Sequence, residues 1–118
     1  GSNWRPFVHV EDAARAFADA VVAPDRWSAP VYNVGADAEN YRIEDVAAVV
    51  RDVVGSDLEV AYLEDEHPGP SYHVSFERMA ETGFRPEWTL DGGVRDLAER
   101  FASGTTDRHR SVDGTVRP

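Results

Sequence analysis

Apolar residues recur with the helical period in three stretches of the sequence, and this periodicity constrains the fold more than any other feature. The first predicted helix covers residues 11–23, the second begins at Ile43 and is stopped by Gly55, and the last covers residues 90–102 with Thr89 as its N-cap. Their apolar positions are Ala13, Ala14, Phe17, Ala20 and Val21 in the first, Ile43, Val46, Ala47, Val50 and Val54 in the second, and a predicted buried stripe of Val94, Leu97, Ala98 and Phe101 in the last.

Two short runs between these helices have the composition of β-strands. Residues 31–34 are mostly apolar and end at Gly35, which could supply a positive φ, while residues 58–63 alternate apolar with small or polar side chains. The two runs are predicted to pair in a small sheet, and residues 75–82 to form a short helix with Ser75 as N-cap and Gly83 as its stop. The sequence therefore predicts a mixed α/β (α+β) domain of three to four helices packed on a few short strands.

Length and composition indicate one small domain. The chain has 118 residues, and none of its apolar runs approaches the roughly 20 residues that a membrane helix needs, so we expect no membrane partner. It has no cysteine, which fits a cytoplasmic protein. We interpret residues 1–2 as a cloning remnant, residues 3–103 as the domain and residues 104–118 as a disordered tail, because the tail lacks any apolar period.

The net charge of −10 arises from 22 acidic residues against 12 basic ones, all of them arginine. Nucleic acid is not expected as a partner, because phosphate binding needs a clustered positive surface. An acidic chain without lysine is typical of salt-loving organisms, in which salt screens the repulsion between carboxylates. A GC-rich genome would give the same codon bias, and both interpretations stay open.

Several motifs follow one another in a characteristic order. They are Trp4-Arg5-Pro6-Phe7-Val8-His9-Val10-Glu11-Asp12, Val31-Tyr32-Asn33-Val34-Gly35, Glu39-Asn40-Tyr41-Arg42-Ile43, Gly83-Phe84-Arg85-Pro86 and Trp88-Thr89-Leu90. Together they resemble the extended short-chain dehydrogenase/reductases of the nucleotide-sugar epimerase/dehydratase family, over residues 4–103. The resemblance implies that the chain is the C-terminal, substrate-binding lobe of an extended Rossmann-type epimerase.

The cofactor and catalytic motifs of that family are absent from this sequence. The family binds NAD or NADP at a glycine-rich turn and uses a Tyr-x-x-x-Lys pair, but none of the nine glycines forms that turn and the chain has no lysine. The resemblance thus implies a fragment that binds no cofactor and is not catalytic alone. Its expected partners are a nucleotide-sugar and a missing N-terminal cofactor domain. Epimerase, dehydratase and reductase chemistry all stay open, as does a stand-alone binding or oligomerisation module.

The resemblance also suggests substrate-binding residues. Arg5 stands where the family places an arginine that contacts the diphosphate, and Asn33, Tyr41 and Tyr72 are further candidates near the ligand. The alternatives are an exposed arginine at a frayed terminus for Arg5, a turn residue for Asn33 and a packing aromatic for Tyr41. Pro70 stands where the family usually carries a second arginine, so the sequence departs from the family's diphosphate site there.

The remaining distinctive residues have structural interpretations. We expect His9 to be packed and hydrogen bonded, Asp12 to stabilise the start of the first helix, and Arg42 to cap the second helix poorly. Residues 64–67, Glu-Asp-Glu-His, are interpreted as a solvated acidic loop and not as a metal site. Trp27, Phe76, Phe84 and Trp88 are expected to pack inside the domain. Loss of a partner domain should expose apolar surface, with Trp4, Phe7 and Tyr41 as candidates, and could lead to self-association.

Overall fold

A computed structural model describes residues 1–55, 57–62 and 69–104 of the chain. Four α-helices and two β-strands lie in this part, which confirms the mixed α+β class. The predicted tail beyond Gly104 and the acidic segment 64–67 fall outside the described residues. In chain order the elements are β1 (Trp4–Pro6), α1 (Val10–Val22), a 3₁₀ turn (Pro24–Arg26), a second 3₁₀ turn (Asp37–Glu39), β2 (Asn40–Arg42), α2 (Ile43–Val54), α3 (Glu77–Glu81) and α4 (Leu90–Ala102).

The helices begin close to the predicted residues, but their first N–H groups are satisfied in different ways. Thr89 caps α4 through its hydroxyl oxygen, which accepts from the Gly92 N–H at 3.3 Å. Arg42 gives α2 no side-chain cap, as predicted. Main-chain carbonyls of the chain's first residues replace that cap, because the N–H groups of residues 43 and 44 donate to Asn3 and Gly1 at 3.1 and 2.9 Å.

The sheet predicted from residues 31–34 and 58–63 is wrong. In the described part of the chain, which includes residues 31–34 and 58–62, the strands are β1 and β2, and they pair antiparallel with Arg5 opposite Tyr41. A β-prone run becomes a strand when another strand offers its edge, and nothing described here lies beside residues 31–34 in that way. Composition indicates strand propensity in these runs, but it does not indicate which strands pair.

The core is small and lies between α1, α3 and the loops around them. Phe76, Met79 and Phe84 are buried with Ala16, and Trp27 packs against them, as predicted for the aromatic residues. Gly35 allows this packing because a Cβ at that position would lie 2.6 Å from the Phe76 ring, and its φ is 156°. The positive φ expected at this glycine is therefore present.

Two polar residues of the first motif, His9 and Asp12, join α1 to the loop that precedes α4. Asp12 is 1% exposed, and its carboxylate accepts from the main-chain N–H groups of Glu87 and Trp88 at 3.0 and 2.9 Å. Asp12 therefore has a structural role, although these donors belong to a distant loop and not to its own helix. His9 caps α1 by accepting from the Glu11 N–H at 3.3 Å, and its ring stacks on Trp88 at 4.0 Å. The expected packed, hydrogen-bonded histidine is confirmed.

The burial of the apolar helix faces differs from the prediction. Phe17 and Val21 of α1 are 76% and 80% exposed, and Leu97 and Phe101 of α4 are also exposed. Helical period identifies an apolar face, but whether that face is covered depends on what packs against it. Trp4, Phe7 and Tyr41, which were expected to be exposed by loss of a partner domain, are instead half-buried.

Among the described residues, no helix is both long and apolar enough to cross a membrane.

Candidate functional site

A cleft of about 370 Å³ opens beside the end of β1, and we call it the β1 cleft. Its walls are residues 6–8, residues 32–34, and the side chains of Tyr72, Val74 and Phe76. At Asn33 and Phe76 it shares its lining with a second cavity of about 390 Å³ along α3. Two of the four predicted binding residues, Asn33 and Tyr72, therefore line one cleft.

Arg5 does not line this cleft but contacts one of its walls, with its guanidinium carbon 4.9 Å from the centre of the Tyr72 ring. Its Nη1 donates to the carbonyl oxygens of Trp4 and Pro70, while Nε and Nη2 make no hydrogen bond with any described residue. None of the described carboxylates lies within ion-pair distance of Arg5. In a chain of net charge −10, Arg5 thus has N–H donors that no described residue uses and that suit an anion.

Residues 69–72 are held against β1 by hydrogen bonds, and this contact positions Tyr72. The Asn3 side-chain amide donates to the Gly69 carbonyl at 3.2 Å, and the Trp4 N–H donates to the Ser71 hydroxyl at 3.0 Å. The Tyr72 N–H in turn donates to the Trp4 carbonyl at 3.4 Å. Pro70, which replaces the second arginine of the family pattern, contributes its carbonyl oxygen to Arg5 and no positive charge.

Asn33 and Tyr41 differ in how well they suit a ligand. Asn33 is exposed, and its amide donates to the Ser75 carbonyl at 3.2 Å, while its side-chain oxygen accepts from none of the described residues. Tyr41 does not line the β1 cleft; its ring lies edge-on to Phe7 at 6.4 Å. Burial and the neighbouring carboxylate of Glu39 raise the pKa of the Tyr41 phenol. The structure therefore places Tyr41 behind the wall of the cleft.

Arg78 belongs near the site although the sequence did not suggest it. It lines the cavity along α3 beside Asn33, donates to the Val31 carbonyl at 3.0 Å, and has no ion-pair partner among the described carboxylates. In the sequence, an arginine between Glu77 and Glu81 is typical of an ordinary surface helix. Its place beside the cleft follows from the fold of residues 31–34 against α3.

The opposite face of β1 carries a stack of aromatic and cationic groups. The Trp4 ring lies 4.2 Å from the His73 ring, and the Arg42 guanidinium carbon lies 5.3 Å from the centre of the same indole. Arg42 also reaches the Glu44 carboxylate at 3.5 Å. These contacts lie on the other side of β1 from Arg5, because successive residues of a strand point to opposite faces.

The β1 cleft has a mostly apolar and aromatic lining with one amide, Asn33, and none of the described carboxylates neutralises the Arg5 cation beside it. The described residues bring no three potential metal-ligating side chains together. An aromatic ring, an amide and a guanidinium with donors to spare can recognise a planar or hydroxylated ligand that carries an anionic group.

Comparison with known proteins gives a match to part of a sugar-nucleotide enzyme. The chain is 34% identical over 99 residues to the putative GDP-L-fucose synthase 2 of rice, Oryza sativa subsp. japonica. The match covers 82% of this chain but 27% of the rice protein, so the chain spans about a quarter of that relative's length. No protein-family model and no solved structure matches the chain significantly. The match supports a relationship to the NAD-dependent epimerase/reductase family through a part of such an enzyme.

Proposed function

We propose that the chain is the substrate-binding part of an NAD(P)-dependent sugar-nucleotide epimerase or dehydratase, and that its β1 cleft receives the nucleotide-sugar. The observation that carries the proposal is Arg5, which has donors that no described residue uses, no described carboxylate partner and a position over the ring of Tyr72, a residue of the cleft wall. Its guanidinium would contact the diphosphate through Nε and Nη2, because these donors match phosphate oxygens in a fork.

The other cleft residues would hold the uncharged parts of the ligand. The side-chain oxygen of Asn33 can accept from a sugar hydroxyl, and the Tyr72 ring offers a surface for apolar or stacking contact. The relative's name makes a GDP-sugar the first nucleotide to test. Arg5 alone neutralises little of the diphosphate charge, so we expect weak binding unless Arg78 or the rest of the enzyme adds a second cation.

The redox cofactor would belong to the remainder of the enzyme. This chain's residues do not fit NAD(P), because the sequence lacks both the glycine-rich turn and any lysine for a Tyr-x-x-x-Lys pair. The proposed role of the chain is therefore to bind and orient the substrate, with hydride and proton transfer assigned to residues elsewhere.

The test is an NMR titration of the chain with GDP-, UDP- and dTDP-sugars at low and high salt. Saturable shifts at Arg5, Asn33 and Tyr72 are expected, and Arg5→Gln should weaken binding about 10- to 100-fold, since it removes a charge-assisted hydrogen bond. Arg85→Gln is the matched control, because Arg85 also lacks a described carboxylate partner but donates to the carbonyls of Ala80 and Phe84 away from the cleft. Equal effects of the two substitutions, or no shifts in a folded sample, would contradict the proposal.

A further inference from the structure

One wall of the β1 cleft is formed by a segment that is neither helix nor strand. Tyr72, Val74 and Phe76 of this segment all line the cleft. Alternate residues share a face where the chain is extended, so the direction of the three side chains depends on how the main chain of residues 72–76 is held. A wall built on a loop keeps its geometry only when neighbouring groups support it.

Asn40 holds the middle of this segment through its side-chain amide. The Val74 N–H donates to Asn40 Oδ1 at 2.9 Å, and Asn40 Nδ2 donates to the Val74 carbonyl at 3.0 Å. Two facing residues of an antiparallel ladder exchange the same pair of hydrogen bonds, so the side-chain amide takes the place of a neighbouring strand. Asn40 is 8% exposed and pairs on β2 with Pro6, another residue of the cleft wall.

Asp37 holds the end of the same segment and is joined to Asn40. Its Oδ1 accepts from the Phe76 N–H at 2.9 Å, and its main-chain carbonyl accepts from Asn40 Nδ2 at 3.0 Å. The buried amide of Asn40 therefore uses its oxygen and its nitrogen in hydrogen bonds, as a buried polar group requires. We call Asp37 and Asn40 the amide clamp. Neither residue lines the β1 cleft.

We infer that the amide clamp positions the wall of the β1 cleft, so that Asp37 and Asn40 determine ligand affinity without contacting the ligand. Other groups hold the Tyr72 N–H and the Ser75 carbonyl, whereas the N–H groups of residues 74 and 76 donate to the clamp. Release of these two groups would let the wall side chains move, and a displacement of about 1 Å is enough to weaken a binding geometry. The inference rests on the proposed function, because the ligand is taken to be a nucleotide-sugar.

The two clamp residues differ in how safely they can be changed. Asn40 is buried, and Asn40→Asp would turn a carboxylate oxygen toward the carbonyls of Val74 and Asp37, which can unfold the domain. Asp37 is exposed, so Asp37→Ala should leave the fold intact while removing the acceptor of the Phe76 N–H. Asp37→Asn is the conservative variant, because it keeps a side-chain oxygen for that N–H.

The test measures amide hydrogen exchange and nucleotide-sugar affinity by NMR in the 118-residue chain, using whichever of the GDP-, UDP- and dTDP-sugars binds the wild type most tightly. In Asp37→Ala the Phe76 amide should exchange about 10-fold faster, since it loses its hydrogen bond. The affinity should fall about 10-fold, and Asp37→Asn should restore it to within about threefold of wild type. Asn40→Asp, if it folds, should weaken binding by at least about 10-fold.

Asp25→Ala is the matched control, because Asp25 is also an exposed aspartate of a 3₁₀ turn but does not line the cleft. It should change neither the exchange of the Phe76 amide nor the affinity.

Four outcomes would decide against one part of the reasoning or another. Wild-type affinity in Asp37→Ala, with the Phe76 amide released, would overturn the inference and leave the proposed function intact. Equal losses of affinity in Asp37→Ala and Asp37→Asn, or in Asp37→Ala and Asp25→Ala, would also overturn it, because the oxygen that holds Phe76 would not be the cause. A wild-type chain that binds none of the nucleotide-sugars would reject the proposed function, while faster Phe76 exchange in Asp37→Ala alone would still support the clamp.

Discussion

Replacement of Asp12 by alanine should lower the free energy of unfolding of this domain more than any substitution on its surface. The carboxylate is 1% exposed and accepts from the Glu87 and Trp88 N–H groups and from Arg15 Nη1 at 2.7 Å. Alanine would leave two main-chain donors without an acceptor, at a cost of about 1–2 kcal/mol each after allowing for water at the exposed Glu87. With the lost arginine contact, we expect a decrease of about 3 kcal/mol in the free energy of unfolding.

Equilibrium urea unfolding, followed by circular dichroism, measures this change. Asp12→Asn should fall between wild type and Asp12→Ala, because it keeps one oxygen for the Trp88 N–H but turns an amide toward the other donors. Asp52→Ala is the control, since Asp52 is an exposed residue of α2 paired with its neighbour Arg51, and its loss should change stability by less than about 0.5 kcal/mol. A decrease below about 1 kcal/mol for Asp12→Ala would refute the reasoning that this carboxylate joins α1 to the loop before α4.

Three further predictions follow from local geometry. Gly35→Ala should destabilise the chain by about 1–3 kcal/mol in thermal unfolding, because its Cβ would meet the Phe76 ring; an unchanged melting temperature would contradict this. A hydrogen bond from Arg100 lowers the pKa of Asp96, so Arg100→Gln should return that pKa toward 3.8 in a carboxyl NMR titration. This pairing stabilises the fold above the unfolded value of 3.8 and is lost as pH falls through the lower folded pKa. Burial raises the pKa of Tyr41, so stability should fall as pH rises above 10.0, and Tyr41→Phe should remove a tyrosinate absorbance step above that pH.

The helices could be predicted because their signals are local. Residues 43–54 and 90–102 have apolar periods, and Gly55 and Thr89 mark their ends, so that each boundary depends on neighbours within one or two turns. The sheet could not be predicted, because β1 and β2 join residues 4–6 to residues 40–42 and the pairing depends on the fold between them. The exposed side of α1 could not be predicted for a related reason, since periodicity does not show whether a covering partner is present.

Part of the candidate site could be predicted from the sequence. Asn33 and Tyr72 line the β1 cleft, and Arg5 reaches the Tyr72 ring because the motif carrying Arg5 forms a strand against which residues 69–72 pack. Tyr41 belongs to the same set of motifs, but its strand register places it opposite Arg5 and its ring behind Phe7. Arg78 carries no sequence motif, and its place beside Asn33 follows from tertiary contacts.

The aromatic stacking has a consequence for spectroscopy. Two of the three indoles lie against imidazoles, Trp4 against His73 and Trp88 against His9, whereas the Trp27 indole N–H donates to Asp19. An indole in contact with another ring is shielded from water on that face, and its emission changes when the neighbouring ring moves away. Intrinsic fluorescence therefore reports these two ring contacts as well as the fold, so a change in emission intensity alone would not demonstrate loss of the helices.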